Sequence, residues 1–313
     1  MNDIKEMRAV YCESLIELAR DNKDIVVIEA DLMNCIKTGD FKKNYPDRFF
    51  NVGIAEANMA GIAAGMSACG KIPFISSFGP FATRRCYDQL FISIAYSKLN
   101  VKVIGTDPGI CAEVNGGTHM PFEDMGIMRC IPDIVCVEPT DAAQLKSLMP
   151  QIAAHKGLVY VRLYRKCSPK VYEEGDKFDL FKAKEISQGN DVTIIASGIM
   201  VDRALQAAKL LAEQGINAGV TNIHTWKPID KDAVIAAIKR SGAIVVAENH
   251  NRYNGLTSAV SEVACEHCPA PVLSVSVNDK FGEVGKMPYL SDVYNLNVSD
   301  IVERAKQAIA LKK

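Results

Sequence analysis

The sequence has neither an excess of charge nor a long apolar run. Its 313 residues include 36 lysines and arginines and 37 aspartates and glutamates, which gives a formal net charge of -1 at pH 7. This balance offers no electrostatic attraction to nucleic acid or to an anionic membrane. No apolar stretch approaches the roughly 18 residues of a membrane span, and the start, MNDIKEMRAVYCESLIELARD, lacks the apolar core of a signal peptide. We therefore expect a cytoplasmic protein.

Several motifs of cofactor and metal sites are also missing. No Gly-x-Gly-x-x-Gly follows a predicted strand, and the sequence has neither a Gly-x-x-x-x-Gly-Lys-Ser/Thr phosphate loop nor a Gly-x-Ser-x-Gly nucleophile turn. Cys265 and Cys268 form the one close cysteine pair, and no second pair completes a structural zinc site. Ten cysteines in apolar contexts instead predict buried free thiols, because a cytosolic chain of this size does not rely on disulfides.

Short apolar strands alternate with helices along most of the chain. Strands are predicted at 25–28, 71–76, 101–104, 134–137, 158–161, 192–196, 218–221, 243–246 and 271–275, and helices at 3–20, 51–66, around 84–88, 141–155, 200–214, 230–240, 255–266 and the C-terminus. Asp141 and Gln144 resemble a capping box. This alternation is typical of parallel sheets covered on both faces. The sequence predicts an α/β fold of two consecutive, mostly doubly wound domains, at 1–166 and 190–313, joined by a linker at 167–189 in which one edge strand fits.

One carboxylate stands out from its surroundings. The stretch NVGIAEANMAGIAAGM, at 51–66, consists of small and apolar residues with helical spacing, and Glu56 is its single charged side chain. A lone carboxylate is costly to bury. Glu56 is therefore either exposed in a first helical turn, where the helix dipole favours it, or buried for a purpose. On these residues alone the two interpretations have equal weight.

Four loops that follow predicted strands could carry chemistry, because ligands of open parallel sheets bind beyond the carboxyl ends of the strands. They hold Glu29, Asp31 and Leu32; Phe78 and Phe81; Asp107, Asn115 and His119 in a glycine-rich loop; and Arg162, Arg165 and Lys166. Together they could form a pocket for a planar ring and a phosphate. Each group has a plainer alternative: the two phenylalanines as core, the histidine bonded to neighbouring backbone, and the basic group as a solvated strand end.

The ordered motifs resemble those of the transketolase family. They are FNVGIAE at 50–56, SF..F at 77–81, GGTHMPFED at 116–124, RCIPD at 129–133, EPTD at 138–141, ENH…GL at 248–256 and KFGEVG at 280–285. Over nearly its whole length the chain resembles the C-terminal half of transketolase, a pyrimidine-binding domain followed by a C-terminal domain. Several motifs in the same order are specific, whereas any one alone is weak.

The resemblance implies thiamin diphosphate as cofactor. In this family the carboxylate that matches Glu56 hydrogen-bonds N1′ of the aminopyrimidine ring, whose exocyclic nitrogen then takes the proton from thiazolium C2. Phe81, with Phe78 beside it, would stack on that ring. His119 would hydrogen-bond the sugar-derived fragment, so Glu56 and His119 are the implied catalytic residues.

The resemblance also implies contacts at the edges of this site. Asp31 and Leu32 match a pair that lines the cofactor pocket. Arg8 matches an arginine that contacts substrate phosphate, and either Arg162 or Arg165 matches another.

Three departures from the family pattern leave the sugar and phosphate preference open. Asn115 replaces an aspartate that reads sugar stereochemistry, Asp107 replaces a phosphate-contacting histidine, and Cys35 replaces a serine.

The metal motif of the family is not found in this chain. Transketolases bind the diphosphate through a metal held by Gly-Asp-Gly and a downstream Asn on the N-terminal domain, whereas here neither Gly39–Asp40 nor Gly175–Asp176 continues to glycine. The resemblance thus implies the C-terminal subunit of a split transketolase, with no metal ligand of its own. A separately encoded N-terminal subunit would bind the diphosphate and Mg²⁺ or Ca²⁺, in an α2β2 heterotetramer.

The implied reaction is two-carbon ketol transfer from a ketose phosphate to an aldose phosphate, as in the pentose phosphate pathway. The alternatives are a β subunit of a 2-oxo acid dehydrogenase, a fragment of a deoxyxylulose-phosphate synthase, and a regulatory module that has lost catalysis.

Overall fold

A computed structural model describes residues 5–312, which form two compact units. The first unit comprises the chain up to Pro108 together with Ile127–Leu180, and the second comprises Gly109–Gly126 together with the chain from Phe181 onward. The alternation of strands and helices does not signal that 109–126 joins the second unit. The residue boundaries of the predicted domains and linker stay a prediction, and the helix predicted at 3–20 lies partly outside the described residues.

The first unit contains a parallel sheet. Its elements are α1 (Met7–Asp21), β1 (Ile25–Glu29), α2 (Met33–Ile36), α3 (Gly39–Asn44), β2 (Phe49–Asn51), α4 (Glu56–Ala68), β3 (Ile72–Phe78), α5 (Gly79–Ala82), β4 (Lys102–Thr106), α6 (Asp124–Arg129, where the chain returns from the second unit), β5 (Val135–Val137), α7 (Ala142–Ala154) and β6 (Val159–Leu163). Its strands run parallel in the spatial order β2-β1-β3-β4-β6-β5. Because parallel strands end at one edge, Glu29, Asn51 and Phe78 all lie at the same edge of the sheet.

The second unit contains a mixed sheet. Its elements are β7 (Lys184–Ser187), β8 (Val192–Ala196), α8 (Met200–Ala212), β9 (Ala218–Asn222), β10 (Thr225–Lys227), α9 (Lys231–Ser241), β11 (Ile244–Asn251), α10 (Leu256–His267), β12 (Val272–Val277), α11 (Met287–Val293) and α12 (Val298–Ala310). Five strands run in the order β12-β11-β8-β9-β7, and all neighbours are parallel except β7 and β9. The edge strand expected in the linker is therefore β7.

Continuous burial explains why the sheet strands read as apolar runs. Every residue of β1, β4, β5, β6 and β8 is buried, and so is every residue of β3 after Ile72. Strands covered on both faces need apolar side chains at successive positions rather than at alternate ones. The predicted α/β class is confirmed.

The outer face of helix α4 has no side chain at two positions. Its buried residues are Glu56, Met59, Ala60, Ala63 and Ala64. Gly61 and Gly65 are exposed, and a Cβ atom at either would meet nothing within 4 Å. Glycine within a helix costs roughly 1 kcal/mol relative to alanine, so packing inside this chain does not account for the two glycines.

The single helix predicted around 84–88 is wrong. The chain instead forms α5, a 3-10 turn at Arg84–Cys86 and a π-helix at Gln89–Tyr96. Thr83 breaks the helix between the first two of these, with φ −120° and ψ −84°, and its hydroxyl donates to the Gly79 carbonyl at 2.7 Å. The break ends α5 before Arg84 and Arg85, which lie in the 3-10 turn instead.

The cap of α7 is close to the predicted one. The Asp141 side chain accepts from the backbone N–H of Gln144 at 2.9 Å, as in a capping box. The Gln144 amide oxygen accepts from the N–H of Thr140, one residue before the cap, at 2.8 Å. The second Asp141 oxygen accepts from the N–H groups of Val171 and Tyr172, which ties the segment after β6 to the start of α7.

The cysteines are all free, as predicted, but fewer are buried than expected. Cys12, Cys86, Cys111 and Cys136 are buried, whereas Cys69, Cys130 and Cys265 are exposed and the remaining three are intermediate. The expectation of a uniformly buried set is therefore wrong, because several apolar-looking contexts lie at the ends of helices.

Candidate active site

Glu56 is buried at the first turn of α4, with 2% of its side chain exposed. Its Oε1 accepts from the Ser77 hydroxyl at 3.2 Å, and its Oε2 accepts from the Arg85 guanidinium at 2.9 Å. Ser77 lies at the carboxyl end of β3, and Arg85 lies in the 3-10 turn that follows α5. Of the two sequence interpretations, the structure shows the buried carboxylate.

Arg85 links this carboxylate to a pair of phenylalanines, and a second arginine lies over the other ring of that pair. The rings of Phe78 and Phe81 meet edge to face, with centroids 6.2 Å apart. The Arg85 guanidinium lies 3.9 Å from the centroid of Phe81, and the Arg165 guanidinium lies 5.0 Å from the centroid of Phe78. The sequence motifs did not single out Arg85. No signal short of the side-chain geometry would have identified it.

Asp31 and Leu32 form the turn after β1. Asp31 adopts φ 63°, a left-handed conformation that aspartate tolerates better than most residues. The Asn51 side-chain oxygen accepts from the N–H groups of Asp31 and Gly53, at 3.0 and 3.1 Å, and its amide donates to Asp31 at 3.2 Å. Asn51 therefore fixes both the turn that carries Asp31 and Leu32 and the approach to Glu56.

Arg8 is held by a carboxylate and a carbonyl. It makes a bidentate pair with Glu6, at 2.9 and 3.0 Å, and donates to the Cys35 carbonyl at 2.7 Å. Lys37 also contacts Glu6, at 2.5 Å. The two cations lower the pKa of Glu6 to about 2, with Arg8 the larger influence.

Arg165 and Asp107 are brought together as an ion pair. Two nitrogen–oxygen contacts of 2.7 Å join them, and Asp107 is fully buried while 14% of the Arg165 side chain is exposed. Burial raises the pKa of the Asp107 carboxyl, although Arg165 acts in the opposite direction. Asp107, which departs from the family pattern, therefore supplies the negative charge opposite Arg165, one of the arginines expected to contact substrate.

Arg162 and Arg165 differ in burial and in their partners. Arg162 lies within β6, is fully buried, and donates to the equally enclosed Glu138 at 2.7 Å. A buried arginine in such a pair is a structural element of the sheet. Arg165 lies beyond the strand end and reaches the surface. We therefore retain Arg165, and not Arg162, as a candidate for contact with substrate.

His119 and Asn115 belong to the second unit. Asn115 ends a 3-10 turn at Gly109–Asn115 and is exposed, and His119 ends a second turn at Gly117–His119 and is half-buried. The His119 ring nitrogen Nδ1 lies 2.9 Å from the Thr118 hydroxyl. The histidine thus has a local side-chain partner beside it.

The glycines around His119 are required by close packing. A Cβ atom on Gly117 would lie 2.2 Å from the Gly282 carbonyl oxygen, and one on Gly282 would lie 2.9 Å from the Gly117 Cα. Gly116 has φ +74°, and a Cβ atom there would lie 2.8 Å from Val284. The motifs at 116–124 and 280–285, far apart in sequence, therefore pack closely against each other at Gly116 and Gly117.

The motif ENH at 248–250 anchors the segment that carries His119. Asn249 accepts from the N–H of Ile110 at 2.9 Å, and the His250 ring accepts from the N–H of Gly126 at 3.2 Å. Glu248 instead accepts from the N–H of Leu256, at the start of α10, at 2.6 Å. The motif is structural within the second unit.

Neither a metal cluster nor a membrane helix is evident in the described chain. Residues 5–312 contain no group of three or more His, Cys, Asp or Glu side chains placed to hold a metal ion. Across the same residues, no helix combines the length and the apolar character needed to cross a bilayer.

Glu29 is a buried acid beneath the turn of Asp31. The Thr38 hydroxyl donates to its Oε1 at 2.7 Å, and its Oε2 has no hydrogen-bond partner among the described residues. Burial raises the pKa of Glu29 to about 8, against the lowering effect of Thr38. The carboxyl is therefore neutral in the folded chain near pH 7.

Two family models and several relatives match the chain. The transketolase pyrimidine binding domain matches residues 4–170, and the transketolase C-terminal domain matches residues 181–301. The chain belongs to the transketolase family, and it has the two domains of the C-terminal half, as the resemblance predicted.

The relatives include separate transketolase subunits. A 6-deoxy-6-sulfo-D-fructose transketolase subunit of Clostridium sp. (strain MSTE9) is 48% identical over 98% of this chain and 95% of its own length. A putative transketolase C-terminal section of Methanocaldococcus jannaschii is 41% identical over 96% and 95%. A solved split gene transketolase, described as an inactive beta4 tetramer, superposes with a TM-score of 0.91 at 41% identity and 99% coverage of both chains.

The synthase alternative is more distant. A 1-deoxy-D-xylulose-5-phosphate synthase of Geobacter sulfurreducens is 32% identical, and this chain spans 48% of it.

We expect Glu29→Gln to flatten the dependence of stability on pH. Between about 4.5, the ordinary value, and about 8, the folded chain holds a proton that the unfolded chain releases. The free energy of unfolding therefore falls with rising pH, by up to ~1.4 kcal/mol per unit from this group. Chemical denaturation between pH 5 and 7 measures the slope. This range lies below the pH at which Lys102 contributes a slope of opposite sign, because burial lowers the pKa of Lys102 to about 7.

The exposed Glu17→Gln is the matched control for Glu29→Gln and should leave the slope unchanged. Equal slopes for wild type and Glu29→Gln would contradict the assignment of Glu29 as a buried neutral acid.

Proposed function

We propose that this chain supplies one half of a thiamin-diphosphate active site, for the transfer of a two-carbon ketol unit from a ketose to an aldose. The observation that carries the proposal is the buried carboxylate of Glu56, held between Ser77 and Arg85 beside the ring of Phe81. A carboxylate at 2% exposure, joined through Arg85 to the face of an aromatic ring, suits a cofactor whose pyrimidine ring needs both contacts.

The residues present fit the pyrimidine ring of the cofactor. The planar, nitrogen-bearing guanidinium of Arg85 lies 3.9 Å over Phe81 while it bonds Glu56 at 2.9 Å. A planar group with N–H donors is thus already accommodated between the carboxylate and the ring. Thiamin diphosphate, when bound, supplies a carbon nucleophile that adds to a carbonyl and accepts the electron pair of the broken C–C bond.

Each residue of the first unit then has a defined task. Glu56 holds the proton shared with N1′ of the pyrimidine, and the Ser77 hydroxyl orients its Oε1. Phe81 stacks on the ring, and Phe78 packs edge to face against Phe81 and limits the ring's tilt. The turn of Asp31 and Leu32, fixed by Asn51, lines the cofactor pocket.

His119 and Asn115 are the residues that we assign to the sugar. His119 hydrogen-bonds a hydroxyl of the ketose-derived fragment, with its ring oriented by the Thr118 hydroxyl. The exposed Asn115 can donate and accept hydrogen bonds toward a neighbouring sugar hydroxyl.

The diphosphate and its Mg²⁺ or Ca²⁺ require a second protein. Diphosphate–metal sites need carboxylate and amide ligands, and the described residues offer no such cluster. A separate N-terminal subunit with the Gly-Asp-Gly motif would provide them, and a heterotetramer is the assembly we propose.

The outer face of α4 suits contact with another chain. It carries Gly61 and Gly65, the exposed side chain of Ile54 precedes it, and Ile92 and Tyr96 are exposed on the π-helix packed against α4.

The substrate is a ketose with an anionic group at its far end. Arg8 and Arg165 each donate a hydrogen bond to a carboxylate of this chain. These carboxylates lower the net positive charge that a bound substrate would meet. A singly charged sulfonate suits that charge better than a doubly charged phosphate. The relative named for 6-deoxy-6-sulfo-D-fructose makes this sulfo-sugar the first donor to test, beside ordinary ketose phosphates.

The exchange Glu56→Gln is expected to lower turnover of the assembled enzyme by on the order of 10²-fold or more, because proton transfer by a positioned side chain contributes at least that much. The assay combines the chain with its N-terminal partner, thiamin diphosphate and Mg²⁺, and follows ketol transfer. The isolated chain should be inactive.

Glu13→Gln, an exposed exchange of the same kind, is the control for Glu56→Gln and should leave turnover unchanged. Near-normal turnover in a folded Glu56→Gln enzyme, or turnover by the isolated chain, would refute the proposal.

The double exchange Arg165→Gln with Asp107→Asn tests the anion contact. It removes one charge of each sign, so the net charge stays constant while the guanidinium donors are lost. We expect KM for an anionic ketose to rise about tenfold or more, since a charge-assisted hydrogen bond contributes roughly 1.5–3 kcal/mol. KM for an uncharged ketose should not change. An equal rise for both donors would exclude Arg165 from the anion site.

A further inference from the structure

Arg85 makes two contacts that a surface arginine does not need. Its side chain is 45% exposed, so water could satisfy the guanidinium without help from the protein. It instead donates to Glu56 Oε2 at 2.9 Å and lies 3.9 Å from the centroid of Phe81. Both partners are residues to which the proposed function assigns contact with the pyrimidine ring.

The two contacts match those of the ring in kind. The guanidinium is flat and stacks on an aromatic face, as an aminopyrimidine does. One of its N–H groups donates to the carboxylate that would face N1′. The guanidinium and the pyrimidine ring cannot both stack on the same face of Phe81 and bond the same oxygen of Glu56.

We infer that Arg85 fills the place of the cofactor's pyrimidine ring in the free chain and swings aside when the ring binds. The inference rests on the proposed function, because it takes Glu56 and Phe81 as the contacts of the ring. Arg85 is thus a residue that governs cofactor entry and exchange. It takes no part in the chemical step.

The displacement is feasible because the chain around Arg85 allows it. The residue lies in a short 3-10 turn after the break at Thr83, and its side chain opens to solvent on one side. In the free chain the guanidinium also offsets the negative charge of the buried Glu56 carboxylate. Of the two side-chain hydrogen bonds described above, the carboxylate would otherwise keep the one from Ser77, at 3.2 Å. Once the ring bonds Glu56, that need ends.

The expected effect on affinity is modest. A partly exposed ion pair and a partly exposed cation–π contact together oppose binding by about tenfold. We expect Arg85→Ala to tighten binding of thiamin diphosphate by about that factor. The affinity of Arg85→Lys should lie between those of wild type and Arg85→Ala, because lysine keeps the charge but lacks the planar guanidinium. Arg84→Ala removes the same charge from the same turn and should leave the affinity unchanged.

The test uses the enzyme assembled with its N-terminal subunit, freed of cofactor and titrated with thiamin diphosphate at fixed Mg²⁺. Calorimetry gives the dissociation constants of wild type and the three variants. In parallel, NMR of arginine side chains labelled with ¹³C and ¹⁵N follows Arg85, which the Phe81 ring should shift upfield. That shift should disappear on saturation with the cofactor, as it does in a cofactor-free Phe81→Leu variant.

Two results would overturn the inference: an Arg85→Ala affinity equal to or weaker than wild type, or an Arg85 signal that stays shifted upfield in the saturated enzyme. Failure of the proposed function looks different. In that case Glu56→Gln would leave both turnover and cofactor affinity unchanged, whatever the behaviour of Arg85. An intact requirement for Glu56 with no effect of Arg85→Ala would reject the inference alone.

Discussion

The burial of one carboxylate determines much of what surrounds it. Glu56 is 2% exposed at the start of α4, and a charge in that position needs hydrogen-bond donors within reach. Ser77 supplies one from the end of β3, and Arg85 supplies another across the break at Thr83. The helix that begins at Glu56 buries alanine and methionine against the sheet, so the polar contacts concentrate at its first turn.

The second unit positions its candidate residues by a different means. His119 lies on a pair of 3-10 turns without regular hydrogen-bond ladders, so the segment needs support from elsewhere. Asn249 and His250 bind its two ends, and the contact of Gly117 with Gly282 joins its middle to the loop before α11. Rigid support of this kind is what a loop residue requires to meet a substrate in a defined orientation.

The sequence predicts most of the strands because β1, β3 to β6 and β8 are almost continuously buried and therefore read as apolar runs. The strands from β1 to β12 that form long runs lie within a few residues of their predicted positions, whereas short elements such as α2 and β10 lack a readable period. The break after α5 was missed because it depends on the backbone conformation of one residue, Thr83, which the periodicity of apolar residues does not reveal. The shift of residues 109–126 into the second unit depends on contacts more than a hundred residues away.

The candidate site was predictable in part. The apolar surroundings of Glu56 singled it out, but its burial depends on Ser77 and Arg85, whose positions local pattern does not encode. Arg162 and Arg165 look alike in sequence. Their burial and their partners separate them, because Arg162 is enclosed with Glu138 whereas Arg165 pairs with Asp107 and is partly exposed.

The most direct test of the central claim is the exchange of the thiazolium C2 proton of thiamin diphosphate with deuterium, measured by quenched-flow NMR in the assembled enzyme. If Glu56 assists the pyrimidine in removing that proton, exchange will be slower in Glu56→Gln than in wild type by on the order of 10²-fold or more. Equal exchange rates in the two enzymes, with cofactor bound in both, would contradict the role assigned to Glu56.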